Sequence, residues 1–228
     1  LSYTGLHEVE GGNPALHDER MHDVQLFGMW NGFMLQADFT RSLDAYAFVK
    51  QLYPADNLQL LMCPVNIDVS AFNLSLMWSK PISCWTPNAT LRMYKQWLTL
   101  GNTSYKKPIF SYYFNNTFSL PRGWMITANF NGQTRGDMRT NSFGTTWFVM
   151  DASVGRTFLH KSLTVKLTAT DIFNSVNNNW TMSTYGVFVD KHQSSDGRGI
   201  SLNIIYNFQP RKSKYKGSSA AEEELKRL

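Results

Sequence analysis

Long stretches of this chain alternate, residue by residue, between apolar and polar side chains, and that period fixes most of what the chain can become. Between Lys161 and Asp171, the residues Leu163, Val165, Leu167 and Ala169 alternate with Thr164, Lys166, Thr168 and Thr170. Phe110, Tyr112, Phe114 and Phe118 are interleaved with Ser111, Tyr113, Asn115 and Thr117. The same rhythm carries Phe72, Leu74, Leu76 and Trp78, then Trp124, Ile126, Ala128 and Phe130, and finally Leu202, Ile204, Tyr206 and Phe208. A period of two sends the sets to opposite faces of a pleated sheet and is incompatible with a helix.

Composition narrows the choice. Charged residues make up 17% of the 228 and aromatic residues 14%. Such a chain can bury enough surface to fold, which argues against disorder. No stretch approaches the roughly 18 uninterrupted apolar residues of a membrane helix. Two cysteines, Cys63 and Cys84, make no disulfide framework, and their spacing does not favour pairing. The net charge of +5 comes mostly from residues 209–228, which hold six basic and three acidic side chains. There Arg211, Lys212, Lys214 and Lys216 are followed by Glu222, Glu223 and Glu224, the pattern of a solvated tail and not of a nucleic-acid contact. The chain opens at Leu1 with no basic or apolar leader, so a piece of a longer protein is expected.

Turn signals punctuate the runs. Asn31-Gly32 predicts a type I′ hairpin turn. Pro121-Arg122-Gly123 joins two runs, Gly155 to His160 joins two more, and Lys80-Pro81 begins another short link. The remaining connections are long: Leu43 to Ile67, Gly101 to Lys107, Thr134 to Gly144, and Phe173 to Arg198. Short and long links alternating along an all-β chain are the layout of a transmembrane barrel with short periplasmic turns and long external loops. About nine membrane-length strands are expected, near 21–30, 33–41, 69–79, 86–98, 108–119, 123–132, 145–155, 161–171 and 198–208. The weak pattern from Trp180 to Asp190 belongs to the last external loop, as a strand extension above the membrane.

Alternation alone leaves open whether the apolar face meets lipid or a protein interior, so a soluble β-sandwich binding or adhesion module remains the alternative. Strand length favours lipid, as do opposite faces rich in Asn, Thr, Ser and Gln. Trp30, Phe33, Trp78, Trp124 and Phe208 also stand at strand ends, where an interfacial girdle needs them. Phe110, Tyr112, Phe114, Ile126, Phe130, Leu163, Val165 and Leu167 are then the lipid-facing set. Lys95 shares a face with Leu91, Met93 and Trp97, which requires it at the outer rim or a bulge that breaks the parity.

Chemistry is sparse. His7, His17, His22, His160 and His192 show no metal-ligand spacing, and no cofactor is indicated. Asp38, Asp151 and Asp171 lie on or beside strands and suit a polar lumen lining. No Ser/His/Asp constellation can be read, so an enzyme is not expected, and a barrel-embedded hydrolase is the remotest alternative.

The residues also carry a resemblance. Gly12-Asn13-Pro14-Ala15-Leu16 resembles the "GNP-x-L" opening of TonB-dependent receptor barrels. Phe118 to Trp124, the Asp171-Ile172-Phe173-Asn174 stretch and the C-terminal segment around Tyr206-Asn207-Phe208 are similar, in order, to later strands of the related outer-membrane β-barrel family. Gly199, Leu202, Ile204, Tyr206 and Phe208 resemble the last-strand signal read by the barrel-assembly machinery. The resemblance implies the C-terminal portion, residues 1–208, of an antiparallel up-and-down barrel of about 22 strands, followed by a periplasmic tail at 209–228. An odd count of strands suits an incomplete barrel or strongly curved sheet. The implied location is the outer membrane of a Gram-negative bacterium. The implied partners are membrane lipid, the assembly machinery, the N-terminal strands and plug missing here, and an unidentified small ligand, with no nucleic acid. External loops at 42–67, 133–145 and 172–197 offer Tyr46, Phe48, Tyr53, Trp180 and Tyr185 as ligand contacts.

Overall fold

The alternating runs pair with one another in chain order. A computed structural model describes residues 2–5, 7–53, 56–159, 162–176, 179–193 and 196–208. Nine long strands make the wall: β3 (Arg20–Trp30), β4 (Phe33–Tyr53), β5 (Asp56–Trp78), β6 (Trp85–Leu100), β8 (Ile109–Leu120), β9 (Trp124–Gln133), β12 (Trp147–Phe158), β13 (Leu163–Thr170) and β16 (Gly199–Tyr206). Each is antiparallel to its neighbour in that order. The tail at 209–228 lies outside the described residues.

The register keeps one face apolar across the whole wall. Trp30, Phe33, Trp78, Ala89, Phe114, Phe130 and Met150 stand opposite one another in an unbroken row over seven strands. That row starts beside the turn at Asn31 and meets β12 well above its own turn end at Phe158. A stagger of about eight residues over six strand gaps corresponds to a tilt of about 40°, the value of membrane barrels. A sandwich would bury this face under a second layer. Instead Phe114 is 37% exposed and Ile204 62%, so the sandwich expectation is overturned.

The turn end of the apolar face carries a chain of rings. Trp30 stacks on Phe33, Phe33 on Trp78, Trp78 meets Trp85 edge-on, and Trp85 stacks on Phe118, each pair 6.1–6.5 Å apart. Further round the rim, Arg156 lies 5.2 Å from the Trp124 ring and 4.8 Å from that of Phe158. Lys95 sits at the other margin, opposite Phe72 and 5.1 Å from the Trp97 ring, which fits the rim position that its charge requires. Asn116 shares the apolar face between Phe114 and Phe118. It is satisfied locally, accepting from Trp85 Nε1 and donating to the Ala128 carbonyl, both at 3.1 Å. A polar side chain on such a face must close its hydrogen bonds within the protein.

Three connections differ from the sequence reading. Asn31 (φ 46°) and Gly32 (φ 85°) do form the expected hairpin turn. By contrast, Gly155 is not in a turn: β12 runs on to Phe158, with Gly155 paired to Lys166 and Met125. His160 and Lys161 lie outside the described residues. The expected loop from Leu43 to Ile67 is mostly ladder, because β4 and β5 continue far beyond the apolar band. An extra residue in β4 between Ser42 and Ala45 makes this possible; Asp44 adopts φ 58° there, with its N–H bonded to Asp68 and its carbonyl to Asn66. Such a bulge reverses the facing of every residue beyond it. Thirdly, the loops carry short strands: β7 (Thr103–Tyr105), β10 (Gly136–Met138), β11 (Asn141–Phe143), β14 (Trp180–Thr184) and β15 (Val187–Lys191), while β1 (Ser2–Gly5) and β2 (Glu8–Glu10) extend the edge of β5.

Candidate functional site

The polar face changes character with height. On β5 it runs from Ser75 and Asn73 to Val69, Ile67, Val65, Cys63 and Leu61. On β6 it runs from Arg92 and Gln96 to Leu98 and Leu100. At the loop end these residues meet Val49, delivered to the same side by the bulge, and Tyr105, forming a buried core. Burial pushes the Cys63 thiol up from its ordinary value. It does the same to the Tyr105 phenol, against the pull of its Ser183 hydrogen bond and with the Asp137 carboxylate adding to the rise. Cys84 is exposed at the turn end, so the two thiols stand at opposite ends of the wall, far beyond disulfide reach.

A second sheet, ordered β10-β11-β14-β15, is docked over this core on the polar side. Four buried side chains fasten it, each binding backbone. Gln96 donates to the Arg139 carbonyl at 2.7 Å and accepts from the Arg139 N–H at 2.8 Å. Tyr105 Oη donates to the Ser183 carbonyl at 2.9 Å and accepts from the Ser183 N–H at 3.0 Å. Thr184 Oγ1 donates to the Lys50 carbonyl and accepts from its N–H. Asp137 accepts from the N–H groups of Lys106 and Lys107, both at 2.8 Å, and from the Ser142 hydroxyl at 2.7 Å. Each clamp satisfies groups that would otherwise be orphaned on burial, so the roof is held by polar complementarity as well as by the apolar core.

Two cavities flank the roof. One, about 430 Å³, lies against the polar face beneath it and is lined by Gln36, Asp38, Asn73, Arg92, Tyr94 and Met138, among others. Amides, hydroxyls and two phenols dominate there, and Asp38 already accepts from Asn73 at 2.6 Å. The other, about 510 Å³, opens between the β7–β8 link and the roof, against Lys107, Arg135, Asp137, Ser142 and Thr181. Gly136 makes that junction possible: a Cβ there would fall 2.3 Å from the Pro108 carbonyl oxygen, so only glycine lets the two segments cross.

A tilted antiparallel wall, apolar and uncovered on one side, polar and roofed on the other, with rings at its rim, defines an integral β-barrel protein of the outer membrane. The chain belongs to the outer membrane protein beta-barrel family, whose sequence pattern matches residues 2–206. No curated protein and no solved structure matches it.

The sequence-predicted residues fall in different places. Phe110, Tyr112, Phe114, Ile126, Phe130, Leu163, Val165 and Leu167 all occupy the uncovered face in one continuous register. Gly199, Leu202, Ile204 and Tyr206 lie on β16, a fully exposed margin of the wall, and Phe208 follows with its ring 4.6 Å from that of Tyr206. The five loop aromatics do not converge. Tyr46 and Phe48 are exposed on the outward side of β4, and Tyr53 ends that strand. Tyr185 stands at the tip of the β14–β15 hairpin, while Trp180 is at its other end, with the Lys191 ammonium 5.8 Å from its ring. The GNP segment is tied to β5, Asn13 donating to the Pro64 carbonyl and closing a turn with the Ala15 N–H. Asp151 accepts from the Asp171 N–H, and Asp171 from that of Ser175, so both carboxylates shape the chain after β13. Gln96, Tyr105, Asp137 and Thr184, the roof's fasteners, went unread in the sequence, where nothing separates them from ordinary strand and loop polar residues.

Proposed function

We propose that this chain forms part of the pore wall of an outer-membrane receptor or transporter of the TonB-dependent kind, with the loop end outside and a ligand met there. The observation that carries this reading is the roof: a second sheet fixed over the polar side, with a cavity below it and another at its edge. A wall serving only as a membrane anchor has no need of a clamped structure over its water-facing side. Tyr46, Phe48 and Tyr185 supply exposed aromatic surface at the loop end, with Tyr53 and Trp180 beside it. Outer-membrane lipid solvates the apolar face, and the exposed β16 is the strand presented to the assembly machinery. The reading gives the chain no catalytic role. Because β3 and β16 both run from loop end to turn end, they cannot pair antiparallel to close the wall, so in this reading further strands of the parent protein complete the pore; a plug within it is what the receptor reading adds.

Sidedness tests it. With Cys63 and Cys84 replaced and the chain inserted in the outer membrane of intact cells, Tyr185→Cys should react with a membrane-impermeant maleimide. Arg122→Cys, at the turn end, should react only after lysis. Labelling of Arg122→Cys with Tyr185→Cys silent would overturn the reading.

A further inference from the structure

The cavity at the edge of the roof has an electrostatic character that none of the above assigns. Lys107 and Arg135 line it, and among the described residues neither makes an ion pair. The nearest carboxylate in its wall, Asp137, is 1% exposed, and two backbone N–H groups and the Ser142 hydroxyl are already directed onto its oxygens. That negative charge is therefore answered inside the protein, while the two cations are left to solvent.

The backbone that bears the cations is also held in place. The Lys107 N–H donates to the Asp137 carboxylate and its carbonyl accepts from the Asp137 N–H at 2.9 Å, which fixes the backbone that bears the ammonium. The Arg135 N–H donates to Thr146 Oγ1 at 3.3 Å, and Thr134, its neighbour, exchanges hydrogen bonds with Phe110 through backbone and hydroxyl. The crossing of Gly136 over Pro108 brings the two segments together. Two cations on pinned backbone thus line one cavity of about 510 Å³, a volume of small-molecule size.

We infer that this cavity binds the oxyanion group of a small ligand, a carboxylate or a phosphoryl group, through Lys107 and Arg135. The inference deepens the receptor reading and rests on it for the loop end being outside. Ligand capture needs no further chemistry: Arg135 offers a planar fork to two oxygens, and Lys107 adds a point charge.

Calorimetric titration of the full-length folded chain in neutral detergent tests it, with inorganic pyrophosphate and citrate as probes. Saturable binding of either is expected, weakened by added salt and at least about tenfold weaker in the Lys107→Ala/Arg135→Ala variant. A Lys80→Ala/Arg122→Ala variant, altered at the turn end, should bind as the parent does. Pyrophosphate alone would assign a phosphoryl group and citrate alone a carboxylate. Saturation by neither anion, or equal binding by the Lys107/Arg135 double variant, overturns the inference. Both outcomes are separate from the labelling of Tyr185→Cys, so an outward-facing loop end that binds neither anion sinks this inference alone.

Discussion

The side-chain amide of Gln96 reproduces a strand partner for Arg139, donating to its carbonyl oxygen and accepting from its N–H. Gln96 is fully buried, and Tyr94 Oη donates the third bond of this amide, the second to its oxygen, at 2.9 Å. Replacing Gln96 with Ala should cost the roof about 2 kcal/mol by stranding both backbone groups. The expected result is faster amide exchange at Arg139 and earlier proteolysis between residues 134 and 146, with the wall unchanged. Gln96→Glu keeps the acceptor but loses the donor, so it should loosen the roof as well.

The two thiols should separate by chemistry. Cys84, exposed at the turn end, should react with a thiol reagent at once in detergent, whereas Cys63 should react only on unfolding of the loop end. A count of rapidly modified thiols under native conditions reads this directly, and one per chain is the expected value.

Alkali should weaken the loop-end core first. Cys63 and Tyr105 are both held neutral by burial, above ordinary values of 9.0 and 10.0. Their contribution is complete at lower pH, where folded and unfolded chains are equally protonated. It falls once pH passes the unfolded values, because the unfolded chain then ionises first, and it is gone above the folded ones. Proteolysis of the roof should therefore accelerate above about pH 10, and Tyr105→Phe should flatten that dependence.

On the apolar face, Leu167→Arg should cost about 2–4 kcal/mol of folding stability in bilayers, and its neighbour Thr168→Arg far less. Leu167 pairs with Val154 and Leu202, while Thr168 pairs with Ser153 and Ser201 on the water side. Equal losses in urea titrations from vesicles would contradict the assignment of faces.

Asn116 and Trp85 should behave as a coupled pair. Asn116→Leu strands the indole N–H, at an expected cost of about 1–2 kcal/mol, although leucine suits hydrocarbon better than asparagine. Combining it with Trp85→Phe should recover part of the loss, and the double-mutant cycle measures how much.

The wall was legible because lipid imposes one requirement on every strand, an apolar residue at each second position. Leu163 to Thr170 and Trp124 to Gln133 obey it, and their strands fall where the pattern predicts. The upper parts of β4 and β5 alternate as well, but there the apolar residues face the loop-end core and not hydrocarbon. In β4 the odd-numbered apolar residues run on from Phe39 to Ala45, Ala47 and Val49 with no visible change in period, so the bulge at Asp44 is silent in the sequence. The roof strands, three to five residues long, are too short to show a period. Lys107 and Arg135 are brought together by a crossing at Gly136 that is set by tertiary packing.

The extra residue in β4 lets a single uninterrupted rhythm answer to two different solvents. Straightening the bulge with Asp44 kept in the ladder would leave the pattern of letters intact, yet it would swing Val49 into water and turn Tyr46 and Phe48 onto the space it vacates. One backbone irregularity thus marks on this strand the height at which hydrocarbon gives way to protein interior.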